Sequence, residues 1–194
     1  MQFESIKNII GVIAIVLTFV GYTPYIRDLL IGRTRPHIFS WLIWAISTGI
    51  IYALQTSAGA GIGSLVTLAV AVISFFIFIL GFKNGNKDIK SIDIVFFILA
   101  LLAIPLWLFV KQPVLSIILL STIDMLGFAP TVRKSWHDPN SETLIFYLIT
   151  TFRHGLSVLA LANYNIITVL FPGTWVIANA LFSIMLIIRR KKTP

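Results

Sequence analysis

The sequence predicts an all-α membrane protein: seven transmembrane helices, as two parallel three-helix bundles joined by an inverting linker helix. Three observations predict it. Of the 194 residues 58% are hydrophobic and only 11% charged, with a mean hydropathy of +0.96. The apolar residues fall into blocks near the ~20 residues that cross a ~30 Å hydrocarbon core. A stretch of the first half also recurs in the second half without a gap.

The blocks are helices, because lipid satisfies no backbone group and none of them alternates like a strand. The first runs from Asn8 to Ile26. Its leader "MQFESIKN" is not clearly basic and no small-residue cleavage site follows, so it reads as a retained span and not as a signal peptide. Span two, Ile38 to Leu54, is rich in aromatic residues and follows Pro36. Span three, Ala60 to Phe82, opens on "GAGIGS", a run of small residues suited to close helix contact. No lysine follows it, so it is no phosphate loop. The turn "GFKNGNKDIK" leads to a lone fourth span, Ile94 to Val110. Span five, Val114 to Ala129, span six, Thr143 to Ala162, and span seven, Ile166 to Ile188, form a second group of three. The expected units are therefore residues 1–83, a linker over 84–112, and residues 113–194 with a basic tail.

The net charge of +8 does not indicate nucleic acid. Twelve of the fifteen basic residues fall on one side of the predicted spans: Arg27, Arg33, Arg35, Lys83, Lys87, Lys90, Arg133, Lys134 and the closing "RRKK". Lys7 and Lys111 fall on the other side, and Arg153 inside span six. This asymmetry places the N-terminus outside and the C-terminus in the cytoplasm. The expectation is a multi-pass protein of a bacterial-type plasma membrane whose partners are lipid and a small polar solute, with a homo-oligomer left open. The chain has no cysteine.

The internal register is 106 positions. Gly21 meets Gly127, Pro24 meets Pro130, Arg27 meets Arg133 and Gly49 meets Gly155. Three spans end opposite to where they began, and a fourth returns the chain. The second triplet therefore enters with the orientation of the first, and carriers built in this way hold solute near the midplane.

Three polar residues are expected at mid-depth. At 1.5 Å per residue, Asp124 is about 15 Å into span five, and Arg153 and Asn179 are also near mid-depth in spans six and seven. An unpaired charge there costs at least ~2.5–3.5 kcal/mol, so Asp124 and Arg153 are expected to pair. The same register sets Thr18 and Ser47 opposite them in the first repeat. His154, ~100° round the helix from Arg153, is a candidate proton carrier with Asp124. Trp175, beside Pro172 and Gly173, is a candidate to stack on a ring-shaped solute, and the deeper-lying Trp44 is a candidate solute contact. Tyr52 and Gln55 approach the outer mouth.

The segments "PYIRDLLIGRTRPHIFSWLIW" and "PTVRKSWHDPNSETLIFYLIT" resemble the PQ-loop superfamily, which includes the SWEET sugar transporters. Pro24-Tyr25 and Pro130-Thr131 stand where that family has proline-glutamine. The resemblance implies a three-one-three carrier of a small polar solute, a sugar in the SWEET members. It implies a solute contact at Asn179, whose first-repeat counterpart is Ile73 with Ser74 adjacent. Pro24 and Pro130 then act as hinges. A receptor of the same fold, or vitamin uptake of the nicotinamide riboside type, fits the same plan. An enzyme is not expected. Span seven has no lysine for a retinal Schiff base, and no His-Glu-x-x-His occurs, so neither a cofactor nor a metal is expected.

Overall fold

The computed structural model describes residues 2–32, 38–84, 91–137, 139–140, 142 and 144–192. Arg33, Arg35, Pro36, Lys87 and Lys90 lie outside the described residues, as do the side chains of Lys83, Pro130, Arg133, Lys134 and Lys192. The described chain is helical, without strands. Its α-helices are α1 (Gln2–Leu30), α2 (Ile38–Ser57), α3 (Leu65–Asn84), α4 (Ser91–Leu108), α5 (Pro113–His137), α6 (Leu144–Leu159) and α7 (Ile166–Lys192). A 3-10 turn, Gly61–Ser64, opens α3.

Three helical stretches are long and apolar enough to cross a membrane: Glu4–Leu30, Gly61–Phe82 and Ile166–Lys191. Ile94–Leu108, Pro113–Phe128 and Leu144–Leu159 are shorter apolar helices. Two of the blocks read from the sequence overran their helices. α4 stops at Leu108 because the amides of Phe109 and Val110 both turn back to the Pro105 carbonyl. Lys111, at φ 57°, then reverses the chain. α6 has 16 residues, hence about 24 Å of rise.

The exterior carries many large apolar side chains, while several polar residues are buried among the apolar core. Ile9, Val16 and Phe19 of α1, and Val95, Ile98 and Leu102 of α4, are exposed. Thr18, Ser47, Gln55, Asp124, Arg153 and Asn179 are buried. Water would penalise such an exterior at roughly 25 cal/mol per Å² of apolar surface, whereas hydrocarbon does not. This exterior suits lipid.

α3 packs against both α1 and α2, and α7 against both α5 and α6. Each group has its own apolar core: Tyr22, Leu29, Trp41, Val70, Ile73 and Ile77 in the first, and Phe128, Tyr147, Phe182 and Leu186 in the second. Two ring pairs correspond. Tyr22 and Trp41 have centroids 6.4 Å apart, and the residues 106 positions on, Phe128 and Tyr147, have centroids 6.1 Å apart.

The groups meet along two seams. On one, α1 runs antiparallel to α6: Lys7 reaches the Leu161 carbonyl at one end, and Tyr22 lies edge-on to Phe146 towards the other. On the second, α5 meets α2, with Asp124 at Ser47 and Gly127 against Trp44. α4 lies outside, against α2 and α5. A third apolar cluster joins α2, α4, α5 and α7 through Ile51, Leu54, Ala100, Ile117, Leu120 and Phe171.

A glycine opens each seam. A Cβ on Gly21 would lie 3.2 Å from the Ile149 side chain, and one on Gly127 would lie 3.2 Å from Trp44 Nε1. A Cβ at either position would need the facing side chain to give by a few tenths of an ångström.

At the Lys7 end the halves are joined by hydrogen bonds to main-chain carbonyls. Lys7 Nζ donates to Leu161 O (2.6 Å), Ser157 Oγ to Gly63 O (2.9 Å), Gln55 Nε2 to Thr168 O (3.0 Å) and the Ala162 amide to Ala60 O (2.9 Å). The glycines of "GAGIGS" permit this closeness. A Cβ on Gly63 would fall 2.7 Å from the Ser157 carbonyl oxygen. Gly59 and Gly61 have φ of +74° and +66°, which a side chain would strain.

Candidate functional site

The predicted charge pair does not form. Asp124, 1% exposed, accepts a hydrogen bond from Ser47 Oγ at 2.7 Å. Arg153, 2% exposed, lies with its guanidinium 5.6 Å from the centre of the Tyr22 ring, and its Nη1 has no hydrogen-bond partner. Among the described residues neither charge is in an ion pair. The reason is positional. Asp124 faces the α2–α5 seam and Arg153 the α1–α6 seam. Equal depth brought them to the same level but not to the same interface.

The seams correspond. Ser47 and Arg153 are 106 positions apart, and so are Thr18 and Asp124. The acid on α5 and the base on α6 thus both belong to the second half, one at each seam, with Thr18 and Ser47 as their counterparts in the first half. Thr18 donates to the Ala14 carbonyl within its own helix. Tyr22, one turn further along α1, is the residue that meets Arg153. Sequence reading passed over Tyr22. The signal available was its position i+4 from Thr18, on the same helix face.

His154 is buried, with Nδ1 unpartnered. Its ring is stacked with Trp175 at 6.4 Å and 13°, and is edge-on to Phe171 at 5.9 Å. Trp175 lies 5.5 Å from Phe128, so aromatic groups line this side of the polar layer. Asn179 is buried and donates Nδ2 to the Trp175 carbonyl at 2.7 Å. That bond occupies one of its two amide hydrogens. Trp44 is half-buried, edge-on to Trp41 at 5.1 Å. Ser74 is buried on α3, and Tyr52 is half-buried on α2. Gln55, expected near an open outer mouth, is instead buried and bound to the Thr168 carbonyl of α7, which closes that end.

The structure therefore gathers Asp124, Ser47, Arg153, His154 and Trp175 around the contact between the halves, and adds Tyr22 and Phe171 to them. Thr150 Oγ1 and Ser121 Oγ, each about one turn from Arg153 and Asp124 on their helices, are also buried without partners. Pro24 lies inside α1, which continues to Leu30, and α5 continues through position 130 to His137. No group of three or more metal-binding side chains occurs among the described residues.

No protein-family model, no characterised protein and no solved structure matches the chain.

Proposed function

We propose that the chain is a small membrane transporter, SWEET-like in plan, that carries a small polar solute between two like-oriented three-helix bundles by alternating access. Seven spans, with α4 as the inverting linker, complete the plan. The observation that carries this reading is the repeated seam. Gly21 and Gly127 are related by the internal register, each packs against a helix of the other half, at Ile149 and at Trp44, and each lies beside a buried charge. Two equivalent seams let the halves rock about a shared axis without unfolding either core. The polar layer that they enclose is where a solute would sit.

The hydrogen bonds at the Lys7 end give the direction. With the N-terminus outside, these bonds close the outer gate. Opening outwards then requires release of the bonds of Lys7, Ser157, Gln55 and Ala162. Pro24 and Pro130, near the opposite end, are the natural places for α1 and α5 to bend, since proline removes a helix hydrogen bond.

Counterflow of labelled solutes in proteoliposomes tests the proposal. The expected result is exchange of at least one small polar solute, abolished by a cysteine cross-link across the Lys7 end. Binding without exchange gives the receptor reading instead. Exchange of nicotinamide riboside alone gives the vitamin reading.

A further inference from the structure

We infer that the buried face of α6 around Thr150 binds the carboxylate of a small organic monoanion, with Arg153 as its counter-charge. This names the class of solute, and it rests on the reading that solute reaches the contact between the halves. Thr150 Oγ1, Arg153 Nη1 and His154 Nδ1 are all buried without a hydrogen-bond partner among the described residues. They lie on one turn of one helix. At 3.6 residues per turn, Arg153 and His154 stand on either side of Thr150 within an arc of about 100°, one turn further along. The three groups therefore share a face. Arg153 borders α1 through the Tyr22 ring, 5.6 Å away, and His154 borders α7 through Trp175 and Phe171. Asp124 is held at the other seam by Ser47 and takes no part in this site.

Donor chemistry and charge select the class. A buried charge is normally paired and hydrogen-bonded. Arg153 has a ring face beside it but no carboxylate among the described residues. A guanidinium keeps its charge, and its flat fork of donors matches the two oxygens of a carboxylate. The Thr150 hydroxyl donates to the same group, and a neutral imidazole can carry its proton on Nδ1 and add a third donor. One carboxylate cancels one guanidinium. A dianion leaves an excess negative charge at mid-depth, an ammonium group repels Arg153, and a neutral sugar leaves the charge unpaired. The rings of Tyr22, Phe171 and Trp175 flank this face and offer apolar surface to the body of the solute.

The test uses the full-length protein, in detergent for thermal shift and in proteoliposomes for counterflow. The probes are acetate, lactate and benzoate, with D-glucose, ethanolamine and sulfate as neutral, cationic and dianionic comparators. At least one monocarboxylate should raise the melting temperature and drive counterflow, while the comparators do neither. Arg153→Gln should weaken that binding by at least ~30-fold, the low end for removing one partner of a buried charge pair. Thr150→Val should weaken it about three- to tenfold, the loss of one hydrogen bond. Arg153→Met should abolish the carboxylate response yet raise the melting temperature of the ligand-free protein, because it removes an unpaired buried charge. A lower melting temperature with the carboxylate response retained would make the arginine structural and overturn the inference. If the variants fail to fold, competition on the wild-type protein still decides. Counterflow of glucose without competition by any monocarboxylate overturns the inference and leaves transport standing. A response to sulfate equal to that of the carboxylates overturns the monoanion class. Stabilisation by a monocarboxylate without counterflow supports the site and overturns transport. No response to any probe overturns the inference, and transport itself is then decided by the wider solute panel above.

Discussion

Ser47 Oγ lies 2.7 Å from Asp124 Oδ1, and the residue 106 positions beyond Ser47 is Arg153. The internal register thus places a hydroxyl beside the acid on one seam and a guanidinium at the matching place on the other. The two charges offset each other without touching.

Ser47→Ala removes the one side-chain donor to Asp124 among the described residues. Leaving a buried acceptor unsatisfied costs about 1–3 kcal/mol. The melting temperature in detergent should fall, and Ser47→Thr should restore part of the loss. An unchanged melting temperature for Ser47→Ala would mean that the hydrogen bond has no structural weight.

Tyr22→Leu removes the ring beneath Arg153, while Tyr22→Phe keeps it. A desolvated cation–π contact contributes about 2 kcal/mol. Thermal unfolding should find Tyr22→Phe close to wild type and Tyr22→Leu clearly weaker. Equal losses in the two variants would assign the effect to the hydroxyl instead.

The glycines divide into two kinds. Gly63→Ala drives a Cβ to 2.7 Å from the Ser157 carbonyl oxygen and 2.9 Å from the Leu161 amide nitrogen, both backbone atoms. Overpacking of this kind costs roughly 1–3 kcal/mol. A Cβ on Gly155 meets nothing within 4 Å. Gly155→Ala should therefore be neutral, or stabilising by about 0.5–1 kcal/mol through helix propensity. Melting curves of the two variants, measured side by side, check both signs.

Sidedness can be tested without first removing native thiols, because the chain has no cysteine. A cysteine at Tyr164 should react with an impermeant maleimide added outside intact cells. One at Lys191 should react only after permeabilisation. The reverse pattern would invert the proposed orientation.

Much of this architecture was legible in the sequence. The apolar blocks located the helices, and the match of Gly21 with Gly127 marked two positions where helices of opposite halves come close. The extents of α4 and α6 were less legible, because apolar residues such as Phe109, Val110 and Leu161 continue past the helix ends into turns. The partners of Asp124 and Arg153 were misread for a different reason. Residue counting gives depth along a span but not the direction a side chain faces. The register held a further clue. If α5 meets α2, then α1 meets α6, and Arg153 must look towards the α1 face that carries Thr18 and Tyr22. Gln55 illustrates a third limit. A glutamine near a span end reads equally as a solute contact or as a tie to a neighbouring carbonyl, and only the approach of α7 decides.

The 16 residues of α6 make its side of the protein hydrophobically shallow, at about 24 Å. Ile145, Phe152 and Leu159 face outwards there. In the proposed seven-span arrangement, bilayer beside α6 must pinch inwards to meet it, while α1 and α7 demand full height, at a cost of fractions of a kcal/mol per ångström of mismatch. Chain length in the surrounding lipid thereby becomes a control on this molecule: short-acyl membranes should favour it, and thick sterol-rich ones should exclude it.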